Sequence, residues 1–297
     1  MPEIKGIITP ILTPMNEDES INYVELENQI NRLIEAGVHG IFFFGTNGEG
    51  YILSAEEKKK VLEVGIKAVN GRVPVYAGTG CVSTKDTIEM SKMAEDLGAD
   101  VLSIITPWFA AISQYELIKH YEAVAAAVKT PIVLYNIPAR TNCSIAPETV
   151  ATLADIDNIV GAKDSSGNFN NMLNYIQKTR GKNFSILSGN DALILWCLLA
   201  GGVGGIAGCS NVYPKDIVGI YENFIKGDLE KANECQEKIG PLRAVFKYGN
   251  PNTVVKTAAE LLGYPVGKCR APFNYLPENG LNALKKCLED YKAIGME

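Results

Sequence analysis

Ile159-Val160-Gly161-Ala162-Lys163 is four apolar or small residues in a row, ended by a lysine. The run does not alternate between apolar and polar. A strand with one face in water alternates, whereas a parallel strand covered on both faces is apolar throughout. Seven other runs share this character: Gly6-Ile7-Ile8-Thr9-Pro10, Gly40-Ile41-Phe42-Phe43-Phe44, Val73-Pro74-Val75-Tyr76-Ala77, Asp100-Val101-Leu102-Ser103-Ile104-Ile105, Pro131-Ile132-Val133-Leu134-Tyr135, Phe184-Ser185-Ile186-Leu187 and Gly202-Val203-Gly204-Gly205-Ile206-Ala207. Longer amphipathic segments separate them, so strand starts fall roughly 20–33 residues apart, as expected of β-loop-α-loop units. Eight such units in series predict an α/β fold, a (β/α)8 TIM barrel in preference to an open doubly wound sheet.

Helix ends support the same layout. Ser54-Ala55-Glu56-Glu57 has the Ser-to-Glu spacing of a capping box. Ser83 or Thr84 opens the next helix, and Gly98 and Gly37 stand where helix C-caps want positive φ. Beyond the eighth unit, Asp228 to Ile239, Asn252 to Leu262 and Leu281 to Ile294 read as helices, with Tyr264-Pro265-Val266-Gly267 as a linker. The expected organisation is a catalytic barrel over 1–225 and a C-terminal helical appendage over 226–297.

Composition narrows the function. The 297 residues are 46% hydrophobic and 21% charged, enough for a sizeable core. A net charge of −6 argues against nucleic acid or an anionic membrane as the main partner. No stretch approaches the roughly 18 consecutive apolar residues of a membrane span. The start, Met1-Pro2-Glu3-Ile4-Lys5, lacks the basic-then-apolar order of a signal peptide. The seven cysteines are scattered with no C-x-x-C pair, which fits free thiols in a reducing cytoplasm better than disulfides or zinc. His39 and His120 are the only histidines, so H-x-x-H and H-E-x-x-H metal motifs are excluded and no metal is expected. Acid–base work falls to Tyr, Lys, carboxylates or the substrate.

Active sites of such barrels lie at the C-terminal ends of the strands. Lys163 is the only lysine that ends one of the eight runs. Burial there disfavours the ammonium form, and a neutral amine can attack a ketone to form an imine, an electron sink. The plainer alternative is a lysine paired with Asp164 or reaching for the rim. Tyr135 ends the neighbouring strand, where a phenol can move protons or simply cap the core. Gly45-Thr46-Asn47-Gly48-Glu49 is a small-residue turn whose N–H groups and hydroxyl suit a carboxylate, or else an ordinary βα turn. Without G-K-[ST] it is no Walker A loop. Arg140 suits a second substrate carboxylate, or a surface or interface salt bridge. Gly202 to Ala207 matches G-x-G-x-x-A, but within a strand, which argues against a dinucleotide site. Both histidines read as structural.

Gly45-Thr46-Asn47-Gly48-Glu49, Tyr135-Asn136-Ile137-Pro138-Ala139-Arg140-Thr141, Ile159 to Asp164, Ser188-Gly189-Asn190-Asp191-Ala192 and Cys269-Arg270-Ala271-Pro272 together resemble the dihydrodipicolinate synthase / N-acetylneuraminate lyase family. The resemblance runs nearly end to end. It implies a (β/α)8 barrel with C-terminal helices, a homotetramer built as a dimer of dimers, and no cofactor. It implies a class I aldolase or lyase that makes or breaks a C–C bond to pyruvate in a 2-keto acid, with an aldehyde as partner. Lys163 matches the imine-forming lysine and Tyr135 the proton-handling tyrosine. Thr46, placed also in the proton relay, and Asn47 match the pair that binds the keto-acid carboxylate. Gly189 and Ile206 match positions whose main chain lines the pocket, and Arg140 the synthase arginine that holds the aldehyde's carboxylate.

Two positions depart from the synthase pattern: it has G-T-T-G-E where this chain has Asn47, and a tyrosine that reaches across a dimer interface where this chain has Phe109. Synthase, sialate lyase, and 2-keto-3-deoxy sugar acid aldolase or dehydratase stay open as activities. A keto-acid-binding regulator without catalysis is the alternative of another class.

Overall fold

The computed structural model describes residues 3–296; Met1 and Pro2, the first two residues of the N-terminal segment read above, and Glu297 lie outside the described residues. All eight apolar runs form strands: β1 Gly6–Pro10, β2 Gly40–Phe43, β3 Val75–Gly78, β4 Val101–Ile105, β5 Ile132–Asn136, β6 Ile159–Asp164, β7 Ser185–Ser188 and β8 Gly204–Ile206. They follow one another in the order β1 to β8 as a closed barrel, and every pair with a resolved register is parallel. The helices are α1 Tyr23–Glu35, α2 Ala55–Val69, α3 Thr84–Leu97, α4 Gln114–Ala127, α5 Pro138–Thr141, α6 Pro147–Leu153, α7 Phe169–Lys178, α8 Ile194–Leu199, α9 Pro214–Ile225, α10 Leu229–Glu237, α11 Gly240–Val245, α12 Pro251–Leu261 and α13 Glu278–Ala293. This is the TIM barrel that the eight runs predict.

The chain divides into two compact units. One holds the stretch ending at Gly6 together with residues 74–206; the other holds 7–73 and the residues from 207 onward. In the first unit, Val101, Leu102, Ile132, Val133 and Leu134 are wholly shielded from solvent, on both faces of their strands. Continuous burial explains why these runs do not alternate. Each such side chain contributes about 1.5–3 kcal/mol on leaving water. In the second unit β1 and β2 pair with Thr9 beside Ile41 and Pro10 beside Phe42.

Local signals set most boundaries. Ser54 and Glu57 form the expected reciprocal capping box on α2. Ser83, rather than Thr84, caps α3, and Gly98 ends it in the left-handed conformation. The expected helix Asp228 to Ile239 is shorter: Asp228 is its N-cap, and the chain restarts as α11. Pro241, which has no N–H to give to a continuing helix, accounts for the break. Tyr264 to Gly267 is non-helical, and Val266 O accepts from Met15 N at 3.0 Å.

The G-x-G-x-x-A run serves packing. A Cβ at Gly204 would lie 2.0 Å from the Gly6 carbonyl oxygen, at φ +153. The glycine is needed for that close approach. The histidines are held internally. His39 Nδ1 accepts from Ile7 N at 3.1 Å, and its Nε2 lies 3.2 Å from Glu222. His120 Nδ1 is 2.9 Å from Thr84 Oγ1, and burial pushes its pKa down to about 4. All seven cysteines are free thiols. No helix among the described residues is long and apolar enough to cross a membrane.

Candidate active site

Tyr135 and Lys163 are each the penultimate residue of a strand, β5 and β6, and they are register partners. Equal register puts both side chains on one face. Both are buried. Lys163 Nζ sits 3.9 Å from the centroid of the Tyr135 ring. An amine and a phenol ring are thus brought together, out of solvent, by strand pairing.

The next residue on each strand, Asn136 and Asp164, points to the opposite face. Asn136 Nδ2 donates to Asp164 Oδ1 at 2.8 Å. Asp164 also accepts from Ser166 N (3.1 Å), Ser166 Oγ (2.9 Å) and Asn171 Nδ2 (3.2 Å). Neutral donors therefore satisfy this buried carboxylate on the far side of the strand from Lys163. The plainer reading of Lys163 as a partner of Asp164 loses its geometry. Asn136 Oδ1 accepts from Ile145 N at 3.0 Å, and Tyr175 donates its hydroxyl proton to Ile145 O. This network clamps the ends of β5 and β6 and so fixes the two side chains on the other face.

Gly189 lies directly against the lysine. Its N–H donates to Asp164 O at 2.8 Å, and its carbonyl accepts from Ser165 Oγ at 3.2 Å. A Cβ here would fall 2.0 Å from Ser165 Oγ and 2.9 Å from Lys163 Cε. A side chain here would have to displace Ser165 Oγ or the lysine stem. Ile206 ends β8 and is buried. Arg140 is exposed on the short helix α5, opened by Pro138, and its guanidinium has no ion pair among the described residues. Phe109 follows β4 at φ +79 and is 93% exposed. A phenyl ring carries no exchangeable proton, so this position relays none.

Thr46 and Asn47 lie in the second unit, in the turn after β2, and both are half-buried. Glu49 N donates to Thr46 O at 3.2 Å, and Thr13 Oγ1 donates to Gly48 O at 2.7 Å. The turn has two non-glycine residues in the left-handed region, Phe44 at φ +63 and Glu49 at φ +55. Such conformations persist where neighbours enforce them. Glu49 is fully buried and held by Lys256 Nζ at 2.7 Å and by Arg270 N at 2.8 Å. Removing one partner of such a pair costs about 3–5 kcal/mol. Arg270 also grips Glu57 through both terminal guanidinium nitrogens, at 3.0 and 2.7 Å, and this holds the Glu57 carboxyl below its ordinary pKa. Asn252 Nδ2 donates to Thr46 O at 2.6 Å.

Tyr135, Lys163 and Gly189 are thus brought together in one unit, which also carries Arg140 and Ile206. Sequence reasoning missed Asn136 and Asp164 as the clamp, although each directly follows a residue it singled out. It also missed Asn252 and Lys256. Their four-residue spacing puts them on one helix face, but nothing in it says what that face meets.

The Dihydrodipicolinate synthetase family model matches residues 3–291. The chain belongs to the dihydrodipicolinate synthetase family. Two relatives named 4-hydroxy-tetrahydrodipicolinate synthase are similar over almost their whole length. That of Methanopyrus kandleri is 40% identical, covering 99% of this chain and 97% of its own. That of Methanocaldococcus jannaschii is 41% identical, covering 98% and 99%. A solved structure, the chloride-inhibited dihydrodipicolinate synthase of Acinetobacter baumannii complexed with pyruvate, has a TM-score of 0.94 at 34% identity, covering 98% of this chain and 99% of that one. The chain is accordingly a dihydrodipicolinate synthetase family enzyme, a class I pyruvate-dependent aldolase and Schiff-base lyase. Among the activities left open, these relatives favour the synthase.

Proposed function

We propose that this enzyme is a 4-hydroxy-tetrahydrodipicolinate synthase that joins pyruvate to aspartate semialdehyde through an imine on Lys163. The observation that carries this is Lys163 Nζ over the Tyr135 ring, in a chain about 40% identical to relatives of that name. The ketone of pyruvate condenses with Nζ and loses water. The imine draws electrons from the methyl carbon, which gives up a proton to form an enamine. The enamine carbon attacks the aldehyde carbon and makes the C–C bond. The phenol of Tyr135 delivers the proton that the aldehyde oxygen then needs. The aldehyde substrate's own amine displaces Nζ from the imine carbon, which closes the ring and frees Lys163.

Thr46 and Asn47 bind the carboxylate of pyruvate, and the main chain at Gly189 and Ile206 lines its site. The N–H groups of Asn47 and Gly48 and the Asn47 carboxamide have no partner among the described residues, which supports an anion there. Arg140, without an ion pair, takes the carboxylate of the aldehyde bidentately.

The test is a coupled assay of pyruvate with aspartate semialdehyde, N-acetylmannosamine and several sugar aldehydes. Turnover is expected to be greatest with the semialdehyde. Arg140→Ala is expected to raise the KM for the semialdehyde about 10- to 100-fold, the worth of a charge-assisted bidentate pair, without slowing imine formation with pyruvate. Preference for a neutral sugar aldehyde supports the second reading, a 2-keto-3-deoxy sugar acid aldolase, which Phe109 favours because it cannot serve a tyrosine relay.

We propose further that the enzyme is a homotetramer in the cytoplasm, with 1–225 as its catalytic barrel and 226–297 as a helical region. The exposed Phe109 ring, in a backbone conformation costly for an aromatic residue, suits insertion into a neighbouring subunit. The seven free thiols suit a reducing compartment. Sedimentation is expected to show a tetramer; a monomer at assay concentration rules this out.

A further inference from the structure

Asn252 and Lys256 stand one turn apart on α12, and both side chains are buried. Each reaches the turn that carries Thr46 and Asn47. Asn252 Nδ2 donates to the Thr46 carbonyl at 2.6 Å, and Lys256 Nζ pairs with Glu49 at 2.7 Å. The first of these bonds has a geometric consequence. The Thr46 carbonyl and the Asn47 N–H belong to one peptide unit, which is planar and trans. They point in opposite directions. A donor that holds the carbonyl therefore aims the Asn47 N–H away from α12. That N–H has no acceptor among the described residues. The Lys256–Glu49 pair sets the other end of the turn, where Glu49 is kept at φ +55.

We propose that Asn252 and Lys256 are positioning residues for the keto-acid carboxylate: α12 fixes the direction of the Asn47 N–H and the shape of the turn that receives the anion. This rests on the assignment of Thr46 and Asn47 to that carboxylate. The C-terminal helices thereby become part of the substrate-binding machinery.

Asn252→Asp is isosteric, but it replaces the donor with an oxygen that repels the Thr46 carbonyl. It is expected to raise the KM for pyruvate about tenfold, as a small misplacement of a binding group does, with kcat at saturating pyruvate and the KM for the aldehyde little changed. Asn252→Ala carries the same expectation and serves if Asn252→Asp does not fold. Lys256→Met combined with Glu49→Gln, which leaves no lone buried charge, is expected to act in the same direction. A purely structural role would lower Tm and the active fraction and leave the KM for pyruvate alone.

Thr46→Val and Asn47→Ala are measured beside them. If these raise the KM for pyruvate and the folded Asn252 variants do not, the positioning role is overturned. If Thr46→Val, Asn47→Ala and the Asn252 variants all leave it unchanged, the assignment of the carboxylate to this turn fails, and the positioning role fails with it. In Thr46→Val/Asn252→Asp, the expected loss is smaller than the product of the two single losses, because the two substitutions act on one turn.

Discussion

Replacing Lys163 with alanine is expected to reduce kcat/KM on the order of 10⁴-fold or more, the scale seen when a covalent nucleophile is removed. The reasoning begins with the strand. Burial and register place Nζ over the Tyr135 ring, while Asp164 on the other face is occupied by Asn136, Ser166 and Asn171. The lysine is therefore not needed to balance that carboxylate. Lys163→Ala is expected to fold, to keep a circular dichroism spectrum like that of the parent, and to lose turnover. Tyr135→Phe separates nucleophile from proton donor. It keeps the ring beneath Nζ and loses only the hydroxyl, so activity is expected to fall about 10²- to 10⁴-fold, as for loss of a general acid–base group, while an imine with pyruvate still forms slowly. Wild-type rates in either variant count against the assigned roles.

Gly189→Ala is the second substitution with a large expected effect, and it adds a single methyl group. The new carbon would stand 2.9 Å from Lys163 Cε and 2.0 Å from Ser165 Oγ. Something must move. Ser165 is tied to the Gly189 carbonyl and its N–H to Asn136 O, so the flexible lysine stem yields most easily. Displacing a nucleophile by a fraction of an ångström to an ångström costs about 10²-fold in rate. The overpacking is expected to cost about 1–3 kcal/mol in stability as well. Single-turnover rates of imine formation and a thermal melt check the two parts separately. An alanine variant that forms the imine at the parental rate means that the lysine stem does not depend on this glycine.

These cases show where the sequence was legible. Lys163 and Tyr135 could be singled out because each ends an apolar run, and an ionisable or phenolic group there has little structural excuse. The barrel was legible for the same reason: strands shielded on both faces leave a continuous apolar record. Arg140 and the turn that carries Asn47 each had a plainer alternative in the residues alone, a salt bridge and an ordinary βα turn, and it was the family resemblance that favoured carboxylate binding, since an exposed arginine and a small polar turn residue have many uses. The steric need for glycine at 189 was not visible, because it depends on how β6 and β7 approach each other. Asn252 and Lys256 were invisible for a related reason. Helical spacing says which residues share a face, and only tertiary structure says that this face meets the Thr46 turn. The break between α10 and α11 is legible in Pro241, which has no N–H for a continuing helix.

The central claim is that Lys163 forms an imine with a 2-keto acid. Incubation with pyruvate, reduction with borohydride and peptide mass spectrometry test it in one measurement. The account predicts a single reduced pyruvate adduct on Lys163, absent without pyruvate and absent from Lys163→Ala. An unmodified Lys163, or an adduct carried by a different lysine, contradicts it.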